Sequence, residues 1–388
     1  MGFPINMVPI SLKKLHLLVL DSSQFTLDLF AQVGRNLGIG RTTVINNSTD
    51  AIAFIKQHSA IGSNVHFADT IDLLITDWDI EPISGLNMLK WVREERSSPN
   101  RFMPVVMSSP FPTGDMVAET RNNGAEDFLA KPFSVKMMTD RLLSIINDQR
   151  GYILTSQYFG PERRRRAMYT AKERRDPYRP VSQLSITKEL LESNLQDYLR
   201  DAKVISIARG TPLKEKLLGG GVVSEAVGLD QSLLVKAEGA LARMGNDYAD
   251  WSFGLINLMY KELGNLTMIA PEKRAFTPTA ITPMKKLQKI ANQMRGEGST
   301  FGYPLISKFG NSLHAYGDMV FISQHLVALL QAHLDAIRIV LKDKIKESES
   351  PEANQLVKML EMAKRKYDAT TESETAPIKA SSAPLGCG

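Results

Sequence analysis

The sequence is nearly free of cysteine: its 388 residues include one, Cys387. A single thiol closes no disulfide and builds no cysteine-based metal site within one chain, so a reducing, cytoplasmic setting is expected. Long apolar runs are lacking as well. The longest are interrupted by Gln, His or Asp, and no membrane span is expected. The N-terminus does not show the charged, apolar, small-residue order of a signal peptide. Gly2 is followed by Asn6 where a myristoylation signal wants Ser or Thr, and Cys387 is misplaced for prenylation. Nor is there a general charge excess. Residues 160–180 hold eight basic against three acidic residues, the whole of the net charge of +5. The basicity is therefore one local feature, and it does not argue for a chain that is basic along its length.

What the sequence does contain, over its first 150 residues, is alternation. Short apolar runs at 15–20, 42–46, 71–76, 103–108 and 127–130 read as strands. Helical periodicity fills roughly 23–37, 48–59, 84–97, 112–123 and 134–147. Five strands alternating with five helices imply right-handed βαβ units, hence a doubly wound parallel α/β sheet with helices on both faces. Such sheets place their ligand site beyond the carboxyl ends of the strands.

Chemistry-bearing residues stand at those ends. Asp21 follows the first strand. The stretch "LLITDWDIEPISG" carries the third strand into Asp77 and Asp79. The fourth strand ends in Ser108 and Ser109, and the fifth leads into Lys131-Pro132. Each residue alone reads as a solvated loop position, but their joint placement at successive strand ends points to phosphoryl transfer. A carboxylate can attack phosphorus to form an acyl phosphate. The attack calls for a hard divalent cation held by carboxylates, a carbonyl and water, usually Mg²⁺. It also calls for a cation and a hydroxyl on the phosphoryl oxygens. Asp77 is the candidate nucleophile, Asp21 a metal ligand, Ser109 the hydroxyl and Lys131 the cation.

These motifs resemble the receiver domain of bacterial two-component response regulators. "VLDSS" is similar to the family's acidic first turn, "TDWDIEPISG" to its acceptor loop, "PVVMSS" to its fourth strand and "GAEDFLAKPF" to its fifth strand with Lys-Pro. The resemblance covers about residues 13–148. It implies a flavodoxin-like five-stranded sheet, Asp77 as phosphoacceptor and Lys131 as the phosphate contact. It further implies Ser109 as switch hydroxyl, Phe128 in the place of the aromatic switch, and Mg²⁺ held by Asp21, Asp77 and Asp79, the last through its backbone carbonyl. A histidine kinase or phosphotransfer protein is the implied partner. Catalysis would be limited to the domain's own phosphorylation and dephosphorylation. Phe128 also reads simply as a core residue. Three positions depart from the family pattern. Ser22 replaces the second of two adjacent acids, Glu81 stands where the acceptor-loop proline is usual and Pro82 follows it, and Pro110 stiffens the loop after Ser109.

The remainder is less specific. Residues 10–149 are read as the receiver and 150–182 as a basic Pro/Arg-rich linker whose prolines argue against continuous secondary structure. Arg163, Arg164, Arg165 and Arg166 could hold nucleic-acid phosphates, with Tyr169 and Tyr178 stacking on bases, or dock on an acidic partner, or be solvated. Residues 183–368 read as an all-α output or interaction domain, and 369–388 as a disordered tail. A stripe from Leu233 through Ala237, Leu241, Met244, Tyr248, Trp251 and Leu255 to Leu258 marks one long helix that Gly245 could split. A second runs over about 313–346, with His333 inside its apolar stripe. "LLGGGVVSEA" has glycines but no Lys-Ser/Thr after them, so no nucleotide-binding loop is expected. The expected function is phosphorelay signalling, with output through protein contacts of the helical half and a homo-oligomer as an open option. The alternative is a phosphorylation-controlled nucleic-acid-binding regulator.

Overall fold

The protein is described from a computed structural model, over residues 7–58, 70–110, 112–163, 183–185, 205–208, 212–220, 225–269, 278–316 and 323–380. The chain divides into two compact units, Met1–Ala242 and Arg243–Gly388.

The first unit is built on a parallel sheet in the order β3-β2-β4-β5-β6. Its strands are β2 (His16–Leu20), β3 (Arg41–Ile45), β4 (Leu73–Asp77), β5 (Val105–Pro110) and β6 (Asp127–Lys131). The helices between and after them are α1 (Gln24–Asn36), α2 (Ser48–His58), α3 (Gly85–Glu94), α4 (Gly114–Asn122) and α5 (Val135–Ile146). Every residue of β2, β4 and β5 is buried, whereas the edge strands β3 and β6 are partly exposed. This is why the central strands read as continuous apolar runs. Leu18, Leu74, Val105 and Met107 of the sheet pack with Met88, Leu89 and Val92 of α3.

Polar caps fix where the helices start. Ser23, Ser84, Thr113 and Ser134 each accept a hydrogen bond from the backbone amide three residues on, and Asn47 does the same for Asp50. Each such cap is worth about 1 kcal/mol. The chain runs from β2 outward to β3 and returns to β4. The switch point thus falls between β2 and β4, the strands that lead into Asp21 and end in Asp77.

The expected linker begins with ordered structure. Strands β7 (Tyr152–Thr155) and β8 (Tyr158–Pro161) form an antiparallel hairpin. With β9 (Gln183–Ser185) and β10 (Ile205–Ala208) they make a four-stranded sheet in the order β8-β7-β10-β9. The hairpin forms despite its proline because Pro161 sits at the end of an edge strand, where no ladder donor is needed. Strands β9 and β10 fall inside the region 183–368 that was read as all-α, and residues 186–204 between them lie outside the described residues. A short helix α6 (Pro212–Leu217) and strand β11 (Val227–Gly228) follow. β11 pairs in parallel with the N-terminal strand β1 (Val8–Pro9), and Lys216 Nζ lies 2.8 Å from Asp72 Oδ2.

The helix α7 (Gln231–Ile269) is continuous for 39 residues and is not split at Gly245. A Cβ at Gly245 would lie 2.9 Å from the Phe301 carbonyl oxygen, so this glycine serves close packing and not a break. The helices that lie wholly in the second unit are α8 (Pro278–Glu297), α9 (Pro304–His314), α10 (Gln324–Lys342) and α11 (Pro351–Ala380). The single helix expected over 313–346 is therefore two. α9 ends at His314, and Ser323 caps α10 by accepting from the Leu326 amide. The backbone of α11 runs to Ala380, so the first part of the expected disordered tail is helical. Among the described residues no helix is long and apolar enough to cross a membrane.

Candidate functional site

Three strand termini bring Asp21, Asp77 and Lys131 together. All three are buried, at 2%, 4% and 7% exposure. Lys131 Nζ lies 2.6 Å from Asp21 Oδ2 and 2.8 Å from Asp77 Oδ1, so one ammonium bridges two carboxylates. The second oxygen of Asp21 accepts from the Ser23 amide at 2.9 Å, which ties the acid to the start of α1. Burial pushes the Asp21 carboxyl up to about 6; Lys131 pulls it down, while the nearby Asp77 charge raises it further. Burial opposes the charge on Lys131, yet the two carboxylates together hold its ammonium above the usual lysine range. Gly85 lies against the end of β4. A Cβ there would be 2.1 Å from the Asp77 carbonyl oxygen, so α3 starts this close to the site only with glycine.

The comparisons with known proteins fall on this unit. The model of the response regulator receiver domain matches residues 17–143. The two-component response regulator ARR5 of Arabidopsis thaliana is 31% identical over 135 residues, which cover 34% of this chain and 72% of that protein. This chain belongs to the response regulator family. The chemotaxis protein CheY of Pseudomonas aeruginosa is 22% identical to the receiver, over 35% of this chain and 98% of the relative. Among solved structures, the chemotaxis response regulator CheY4 of Vibrio cholerae matches 33% of the chain and 95% of its own, at 19% identity and a TM-score of 0.28. No family model matches the C-terminal region.

The other sequence-predicted residues of the receiver are spread around this centre. Ser109 is buried on β5, and its hydroxyl donates to the Pro110 carbonyl at 3.3 Å. Its neighbour Ser108 pairs in register with Asp77, and its hydroxyl is buried without a hydrogen-bond partner among the described residues. Asp79 stands on the exposed rim, two residues beyond Asp77. Phe128 is partly buried on β6 and packs against the apolar core. Arg163 lies with its guanidinium 4.2 Å from the Tyr158 ring centroid, while Arg164, Arg165 and Arg166 lie outside the described residues.

The donor set bears on the implied cation. Asp21 and Asp77 supply two carboxylates in a cleft where burial disfavours their charge, which suits a hard cation. Ser22 supplies no third acid, and among the described residues no group of three or more His, Cys, Asp or Glu side chains is placed to hold a metal. The two carboxylates present fit Mg²⁺ by their chemistry.

A second polar cluster of the receiver escaped the sequence reading. Arg93 on α3 is buried, donates to the carbonyls of Gly124, Arg101 and Met103, and pairs with Glu126 at 2.9 Å. Glu126 also accepts from the Val105 amide and from the Tyr152 hydroxyl. This network fastens the β7–β8 hairpin to the start of β5. A lone Arg in an amphipathic helix gives no sequence signal of burial.

In the helical unit, His333 is completely buried. Its Nδ1 lies 2.8 Å from the Leu329 carbonyl oxygen and its Nε2 2.9 Å from Ser312 Oγ. Burial lowers its pKa to about 4, against 6.5 in the unfolded chain. A depressed folded value means stability that is complete above pH 6.5 and lost as pH falls toward 4. The loss is about 3 kcal/mol. Urea midpoints measured across that window are expected to fall with pH, and more steeply for the natural chain than for His333→Gln. Equal slopes would remove His333 as the cause.

Proposed function

We propose that this response regulator is a phosphorelay receiver that takes a phosphoryl group onto Asp77 from the phosphohistidine of a histidine kinase or phosphotransfer protein. The observation that carries the reading is the Lys131 ammonium held between Asp21 and Asp77. An Asp77 carboxylate oxygen attacks phosphorus, and the P–N bond to the donor breaks. Its electron pair leaves with the imidazole nitrogen, and an acyl phosphate results. Lys131, already bonded to Asp77, turns to a phosphoryl oxygen, and the Ser109 hydroxyl exchanges its Pro110 carbonyl for another. Asp21, Asp77 and the Asp79 carbonyl would hold Mg²⁺, which supplies positive charge to the phosphoryl oxygens. Catalysis by the receiver is confined to forming and hydrolysing its own acyl phosphate.

Output passes through protein contacts of the helical unit. Large apolar side chains there are open to solvent, Met268 at 83%, Met362 at 70% and Met359 at 57% exposure. Methionine is well suited to adaptable protein surfaces. A second copy of the chain is one partner such a surface accepts. Incubation of the full chain with an acyl phosphate and Mg²⁺, then mass mapping, is expected to place one phosphoryl group on Asp77. Label confined to another residue, or none, overturns the reading.

The missing acid gives a separate prediction. Ser22→Asp adds a carboxylate beside Asp21 and is expected to tighten Mg²⁺ binding about tenfold, since ligand charge sets such affinities. Titration followed by the fluorescence of Trp78, which adjoins Asp77, reads this directly. An unchanged affinity would show that position 22 does not face the cation.

A further inference from the structure

We propose that the cleft between α9 and α11 in the helical unit binds a small organic anion with an apolar body and a hydrogen-bond donor beside its charge. This goes beyond the phosphorelay reading and does not depend on it. The cleft has a volume of about 330 Å³. That is at the small end of ligand sites, the size for a single-ring metabolite.

The polar groups of the cleft are set by what lies behind them. The Leu329 carbonyl can only accept, so His333 Nδ1 carries the proton and Nε2 is the bare nitrogen. The Ser312 hydroxyl therefore donates to Nε2 and spends its one proton there. Ser312 lines the cleft, and toward a ligand its oxygen offers lone pairs only. The neighbouring Asn311 is oriented in the opposite sense. Its Oδ1 accepts from Arg295 at 3.3 Å, which leaves the amide NH₂ to donate.

Charge decides the class of ligand. Lys308, one turn before Ser312 on α9, and Lys364 on α11 both line the cleft, against one acid, Glu361. Neither lysine takes part in an ion pair among the described residues. Phe309 and Leu360 supply apolar wall. Two unneutralised ammonium groups and an amide donor suit an anionic head group. An oxygen acceptor on the same helix turn as Lys308 and Asn311 suits a hydroxyl next to that head group. Apolar walls suit a ring or short chain.

The test is calorimetric titration of the full chain with mandelate, phenylacetate, phenyl phosphate and the neutral 2-phenylethanol. Saturable binding of an anion is expected, with mandelate at least about fivefold tighter than phenylacetate, one added hydrogen bond at about 1 kcal/mol. Whether phenyl phosphate or the carboxylates bind more tightly identifies the head group. The pair Lys308→Met and Lys364→Met is expected to weaken anion binding at least tenfold. Ser312→Ala is expected to erase the preference for mandelate over phenylacetate while leaving phenylacetate bound. Thermal melts of each variant confirm that the helical unit is folded. No saturable anion binding, equal binding of 2-phenylethanol, or indifference to loss of both lysines would each overturn the proposal.

Discussion

Asp77→Asn is expected to abolish covalent labelling of the receiver, with phosphoryl incorporation from an acyl phosphate falling at least about 100-fold. The substitution changes shape very little. The carboxamide oxygen still accepts from Lys131, and Lys131 keeps its 2.6 Å contact with Asp21, so the cleft should stay assembled. What is lost is the anionic nucleophile, because an amide oxygen at neutral pH is far weaker than a carboxylate. The loss also removes a like charge beside Asp21. Burial is the main reason that Asp21 stands near 6 and Asp77 adds to it, so the Asp21 value should fall in the variant. The measurement is mass spectrometry of the intact chain after acyl phosphate treatment with Mg²⁺, beside circular dichroism to confirm the fold. Labelling of the variant at the natural level would mean that the phosphoryl group goes elsewhere.

The gathering of Asp21, Asp77 and Lys131 was legible in the sequence for a physical reason. Central parallel strands are buried along their length, so their ends are marked by the first acidic residues. In β2 and β4 those residues are Asp21 and Asp77. Strand ends fall within two residues of the expected ones because the same burial that defines the strand defines its limit. The elements after residue 150 follow a different rule. In α7 the expected stripe took the large residues Leu241, Met244 and Leu258, yet Leu258 is 52% exposed. The buried positions that the stripe left out include Ala240, Ala249 and Ser252, all small side chains. Hydrophobic periodicity weights size and so reads such a helix slightly rotated. The β7–β8 hairpin was hidden by its setting. Tyr152 and Leu154 alternate inward as a strand should, but four residues are too few to stand out beside a run of arginines and prolines.

The Arg93–Glu126 pair shows most clearly what such hidden positions contribute. Glu126→Ala is expected to destabilise the receiver by about 3–5 kcal/mol, the range for removing one partner of a buried ion pair. Both side chains are 1% exposed, so Arg93 would keep a full charge with no counter-ion and little water. The change would also strip the Val105 amide and the Tyr152 hydroxyl of an acceptor. The three carbonyls that Arg93 reaches offset part of this loss but carry no net charge. Lys136→Ala on α5 is the contrasting case. Its pair with Asp140 is 71% and 59% exposed at the two side chains, and its removal should cost about 0–1 kcal/mol. Urea unfolding followed through Trp78 and Trp91 measures both. Replacing Arg93 and Glu126 together by Met should cost less than Glu126→Ala alone, because no uncompensated charge is left inside. If the double variant is instead the less stable of the two, the network stabilises through geometry that apolar side chains cannot replace. The start of β5 and the turn before β6 would then be held by Arg93's carbonyl contacts more than by its charge.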